Sequence, residues 1–149
     1  MARVDYYAIE QAIQTLLQGA TSLSGVMVDV EGELLFGAES TPAVLIYLDR
    51  RDAPADLQGL SAGQRTRFLL RFSIWAWEYS LESVAKAIQL RDDLLGKVEI
   101  VLMGNRTLDG TVNKSWLEGG EMPSARLPGG SGWVSGGEIV LVADAIATT

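Results

Sequence analysis

The chain has 149 residues, 48% hydrophobic and 21% charged, with a net charge of −7; that suits one domain with a real core and is too apolar for disorder. It holds neither cysteine nor histidine, which excludes disulfides, thiolate metal sites, cysteine nucleophiles, imidazole bases and the Ser-His-Asp arrangement. An acidic chain also lacks the clustered cations that tight wrapping of nucleic acid requires.

The opening MARVDYYAIEQ has no apolar run and no small-residue cleavage site, so it does not read as a secretory signal. The longest apolar runs fall far short of the ~18 residues of a membrane span, and the expectation is a soluble chain made in the cytoplasm. Within residues 5–18, Ile9, Ala12, Ile13, Leu16 and Leu17 form one stripe of an amphipathic helix, with Gly19 as its stop. Val26, Val28 and Val30 alternate with Met27 and Asp29, the period of a strand. Glu31-Gly32-Glu33 reads as a turn. PAVLIYLD, 42–49, is apolar on both faces and predicts a strand covered on both sides. Residues 50–63, with Pro54, Gly59 and Gly63 and no sustained period, predict a long flexible loop.

A long strand over 64–78 follows. Its residues Phe68, Leu70, Phe72, Ile74 and Ala76 require a core, each large one contributing about 1.5–3 kcal/mol on burial. The opposite series is Arg67, Leu69, Arg71, Ser73, Trp75 and Trp77, cationic at one end and aromatic at the other. Ser80 suits a helix N-cap with Glu82 in the first turn. The helix predicted beyond it, carrying Val84, Ala87, Ile88, Leu94, Leu95, Val98, Val101 and Leu102, runs to about Met103 with Gly104 as a left-handed stop. Residues 108–117 predict a strand after a turn at Asp109-Gly110. Residues 119–137 hold seven of the 16 glycines and read as a flexible hairpin with Trp133 at its tip. EIVLVADAI, 138–146, predicts the last strand. The order implies a single α+β domain, a mostly antiparallel sheet with two helices packed on one face.

Catalytic and metal patterns are thin. GGSGWVSGG, 129–137, leads into a strand with no Lys after it, unlike a phosphate loop. Asp92 and Asp93 point about 100° apart on a helix and read as solvated charges. Glu31 and Glu33 share a turn face, but two acids fall short of the 6–8 oxygens that calcium takes. Residue types alone do not exclude Ser-Lys catalysis, though no spacing recommends it. No cofactor and no catalytic residue is expected.

The aromatic face of strand 64–78 is the strongest unusual signal. Either other parts of the same subunit cover it, or it is a subunit interface with Trp75, Trp77 and Leu69 as anchors and Arg67 and Arg71 at a polar rim. Charge is uneven: residues 1–40 carry a net −5 and residues 64–80 a net +2. Either this is solvated surface, or acids such as Glu31 and Glu33 of one subunit meet Arg65, Arg67 or Arg71 of the next. Arg50, Arg51 and Asp52 in the predicted loop, and Trp133, are candidates for docking a partner.

The segments YYAIEQAIQTLL, LSGVMVDVE, PAVLIYLD, RTRFLLRFSIWAWEYS, SLESVAKAIQLRDDLLGKVEIVL, GNRTLDGTVNKSWLEGG and EIVLVADAI span nearly the whole chain. In that order and spacing they resemble the tail terminator proteins of long-tailed bacteriophages, the lambda-type minor tail component and its relatives. The resemblance implies a small α/β fold in a hexameric ring that caps the tail tube, ends its polymerisation and presents a surface to the head-completion or connector protein. It implies self-association, no catalysis, and a place at the tail-neck junction of the virion after assembly in the host cytoplasm. Genomic DNA would pass through without specific binding, and no membrane is involved. Two other readings stay open: another neck or tail component, such as a head-completion or tail-tube protein, and a small-ligand-binding α+β module lined by Trp75, Trp77, Trp116 and Trp133.

Overall fold

A computed structural model describes residues 4–32, 41–53, 65–127 and 132–148. Helix α1, Tyr6–Gly19, starts where the Asp5 carboxylate accepts the Ala8 N–H at 3.1 Å. A single turn of 3-10 helix at Thr21–Leu23 leads to β1, Met27–Val30, which pairs in parallel with β2, Ala43–Asp52. β3, Arg65–Ser80, lies antiparallel between β2 and β6, Trp133–Thr148. Helix α2 spans Val84–Met103, and two short strands, β4 at Lys114–Glu118 and β5 at Ser124–Arg126, share the outer flank of β6. The sheet order is β1-β2-β3-β6-β4, with β5 beside the start of β6. This is the mixed, mostly antiparallel sheet with two helices that the alternation of apolar residues implies.

One face of the sheet forms the core. Leu70, Phe72, Ile74 and Ala76 of β3 join Val44 and Ile46 of β2 and Ile139, Leu141, Ala143 and Ala145 of β6. Ile9, Ile13 and Leu17 of α1 and Leu94, Leu95, Val98 and Leu102 of α2 close over them. Both helices therefore lie on the same side, and the residues between these on each strand face the other way.

Several boundaries differ from the sequence reading. β2 continues through Arg50, Arg51 and Asp52, which pair with Arg71, Leu70 and Leu69. A bulge between Leu48 and Arg50 breaks the alternation that would have revealed them. The remainder of the predicted loop, 54–63, lies outside the described residues. Ser80 is still in β3, opposite Trp133, and its hydroxyl accepts the Glu82 N–H. Ser83 caps α2 instead, taking the Lys86 N–H at 3.0 Å. Gly104 ends α2 at φ −76, ψ −13, right-handed and not left-handed.

The strand predicted at 108–117 is real only from Lys114. Before it, Leu108, Asp109 and Gly110 take consecutive positive φ values of 49, 57 and 80. Asn105 holds that turn, its amide oxygen accepting the Asp109 N–H at 3.1 Å and its amide nitrogen donating to the Asp109 carboxylate at 2.7 Å. Leu108 is buried beneath it.

The glycine-rich hairpin is also shorter than read. Trp133 opens β6, opposite Ser80 and Arg126, with the Arg126 guanidinium 5.7 Å from its ring centre. It is not a hairpin tip. Gly136 and Gly137 are strand residues because bulky groups press on β6 from both faces. A Cβ on Gly136 would sit 2.5 Å from the Trp77 ring, and one on Gly137 would sit 2.9 Å from the Arg91 side chain. Residues 128–131 lie outside the described residues.

Candidate functional site: the helix-free face of the sheet

The strand registers set out this face in rows. Ala43, Trp77 and Gly136 form one; Leu45, Trp75 and Glu138 the next; then Tyr47, Ser73, Val140 and Glu118. Arg71, Val142 and Trp116 follow, and Asp52, Leu69, Asp144 and Lys114 complete the grid. Among the described residues no helix covers it.

At one end, Trp75 and Trp77 are two residues apart on the same strand face. Their rings stack with centroids 5.4 Å apart and planes 15° from parallel. Trp77 leans over Gly136, where only a missing side chain gives it room. Both rings are half-buried, as is Leu69, while Leu45 beside Trp75 is buried. The aromatic pair thus shields its own strand yet keeps surface for contact.

At the other end the arginines are held within the chain. Arg67 donates from both Nε and Nη2 to the two oxygens of Asp144, the first at 3.1 Å. Asn113 adds its amide at 3.1 Å to the same carboxylate. Burial pushes the Asp144 pKa up, but hydrogen bonds and charge from Arg67, with Asn113 and Lys114, outweigh it and leave the group below the ordinary 3.8. Arg71 bridges four strands, reaching Glu118 at 2.7 Å and Asp52 at 3.6 Å. Between the ends, Ser73 donates to Glu138, which also accepts the Glu121 N–H. The acids expected on a neighbouring subunit therefore have counterparts on this one.

The other candidates separate. Arg50 pairs with Asp52 at 2.8 Å. Arg51 donates to the Tyr6 hydroxyl at 2.7 Å and lies against the Tyr6 and Phe68 rings. These three belong to a strand end and not to a docking loop. The Arg65 backbone pairs with Thr148. Glu33 lies outside the described residues, so its pairing with Glu31 does too. Among the described residues no cluster of three or more metal-ligating side chains occurs. Asp92 bonds Arg91 and Asp93 pairs with Lys97 at 3.0 Å, so the adjacent acids serve separate partners.

The four tryptophans do not converge. Trp116 lines a cavity of about 320 Å³ with Leu102, Met103, Arg106, Ser115 and Leu117 at the sheet margin. Trp133 is in register with Ser80, on the side of the sheet that carries the helices. A single pocket lined by all four is ruled out.

Both margins of the sheet carry side-chain caps. Gln14 and Gln18 of α1 donate to the Val28 carbonyl at 3.1 and 3.3 Å. Arg106 donates to the Ser115 carbonyl at 3.0 Å, while the Ser115 hydroxyl donates back to the Arg106 carbonyl at 2.8 Å. Such caps blunt strand-to-strand addition.

The sequence reading missed Asp144 and Glu10. Asp144 had left a signal, as a charge inside an otherwise apolar run. Glu10 had left a weaker one, as an acid beside the apolar stripe of α1. No protein-family model matches the chain, and no curated protein matches it.

Proposed function

We propose that the chain is a structural subunit that assembles through the helix-free sheet face into a closed ring, a phage tail terminator that caps the tail tube and offers the head connector a docking surface. The observation that carries this reading is the half-buried Trp75–Trp77 stack on a face without a helix. Stacked tryptophans beside buried leucine are the composition of an interface anchor. The capped margins favour contact through a face over extension of the sheet. Because Arg67 and Arg71 already hold carboxylates of their own chain, the contact assigned here is aromatic. A ring needs this patch to meet a different surface on its neighbour, since cyclic contacts are heterologous. The segment order quoted above supplies the tail-terminator part of the proposal.

The test is negative-stain microscopy with light scattering on wild type and on Trp75→Ser with Trp77→Ser, each alone and with the cognate tail tube. Single rings lost in the double variant support the proposal. Rings formed equally by the variant would overturn the interface, and stacked rings of wild type would make the chain a tube component. Absence of any ring on the tube would sink the reading altogether.

A further inference from the structure

Given the ring proposed above, we infer that the Trp75–Trp77 face of one copy is received by the end of α2 and the β4 margin of the next, with Glu121 of the first copy meeting Arg106 of the second. Ile100 and Met103 stand three residues apart at the end of α2 and so share a face. They are 74% and 64% exposed, large apolar side chains left in water. Beside them opens the cavity of about 320 Å³ walled by Leu102, Leu117 and Trp116. A pocket with an apolar rim is what an aromatic anchor of a partner fills. Arg106 is fixed at its wall. Its Nε donates to the Ser115 carbonyl at 3.0 Å, and the Ser115 hydroxyl ties the Arg106 carbonyl back at 2.8 Å. That clasp uses one of the five N–H groups of the guanidinium. Among the described residues no carboxylate pairs with Arg106. Lys114, 5.8 Å from the Trp116 ring centre, adds a second cation, while Asp109 of the same turn is engaged by the Asn105 amide.

The aromatic face carries the opposite charge. Trp75 is in register with Glu138, and Glu121 lies against that residue: its N–H donates to Glu138 Oε1 at 3.2 Å and its carbonyl accepts the Glu138 N–H at 2.8 Å. Glu121 is exposed, and among the described residues no cation pairs with it. One surface is thus aromatic with a free acid, the other apolar with a free base. They do not meet within one chain. Glu121 sits at Glu138, and Arg106 at Ser115, opposite Ala143. From 138 to 143 along β6 is about 17 Å at the strand rise. A two-fold dimer through the aromatic face would set acids against acids, which opposes it. Head-to-tail contact pairs the free acid with the free base, the relation that a cyclic ring repeats.

The experiment joins cysteine cross-linking to charge reversal, in the full chain with its tail tube. The chain has no cysteine, so Arg106→Cys with Glu121→Cys places the only two thiols. A disulfide needs Cα atoms within about 7 Å, too short a reach for one chain to bridge these sites. Oxidation of the double variant gives a ladder of covalent oligomers, and each single Cys variant gives none. Arg106→Glu and Glu121→Arg each raise the concentration for half-assembly about tenfold, and their combination returns it to within about threefold of wild type. No ladder, single reversals that assemble like wild type, or a combination no better than either would each overturn the inference. If Trp75→Ser with Trp77→Ser abolishes rings while Arg106→Glu keeps them, the aromatic face stands and the receiving surface assigned here falls. Wild type without rings on the tube overturns both.

Discussion

Arg67 of β3 grips both oxygens of Asp144 on β6, a carboxylate with 0% exposure to solvent. The pair sits where an apolar strand would otherwise continue, and the Arg67 side chain keeps 30% of its surface exposed. An ion this deep is stable only while paired, because desolvation costs several kcal/mol for an unpaired charge. Its stability role follows from the partner and not from the charge.

Replacing Arg67 with Ala should therefore destabilise the fold by about 3 kcal/mol. Urea denaturation at neutral pH measures it. The double replacement Arg67→Met with Asp144→Leu should recover most of that loss, since no buried charge is then left alone. A double variant as weak as Arg67→Ala would show that the pair does more than satisfy itself.

Gly136→Val should cost about 1–3 kcal/mol, because its side chain would enter the space of the Trp77 ring. The ring must swing off β6, so the Trp75–Trp77 stack should be lost as well. Near-ultraviolet circular dichroism reports the stack and urea denaturation reports the cost. Gly19→Ala is the control, since a Cβ there meets nothing within 4 Å.

The core was legible because β3 states it in every second residue, and the helix stripes Ile9, Ile13, Leu17 and Leu94, Leu95, Val98 complete it. What escaped were places where one residue answers to a distant one. Gly136 and Gly137 look like loop residues until Trp77 and Arg91 are seen pressing on them. Arg50 and Asp52 look like loop charges because a bulge hides their strand. For the face itself, the alternation of Trp75 and Trp77 placed both rings on the side of β3 opposite its core residues. The chain positions of Asp52, Glu118 and Asp144, by contrast, gave no hint that they lie around Arg67 and Arg71.

Gln14→Ala with Gln18→Ala should leave the Val28 carbonyl without its two amide donors. The stability cost should be modest, about 1 kcal/mol, because α1 packs through other residues. The larger effect should be on association, as an uncovered strand margin invites pairing. Light scattering against time at fixed concentration should rise for the double variant and stay flat for wild type.

Stability against pH should peak on the acid side of neutrality, and two carboxyls with opposite shifts set the two limbs. Asp144 lies below its ordinary 3.8 in the fold; the unfolded chain takes up that proton first, so its contribution is present above 3.8 and lost as pH falls through the lowered value. Glu10 lies at about 7 in place of 4.5; here the folded state holds the proton more tightly. Its contribution is complete below 4.5 and is lost as pH rises to about 7, a change on the order of 2–3 kcal/mol. Glu78, raised mainly by burial, adds to the same limb. Urea midpoints across this range should fall from mildly acidic to neutral pH in wild type. Glu10→Gln should flatten that neutral limb and leave the acid limb intact, because Asp144 and Arg67 are on another part of the sheet. A neutral limb equally steep in both proteins would mean that another group holds the proton.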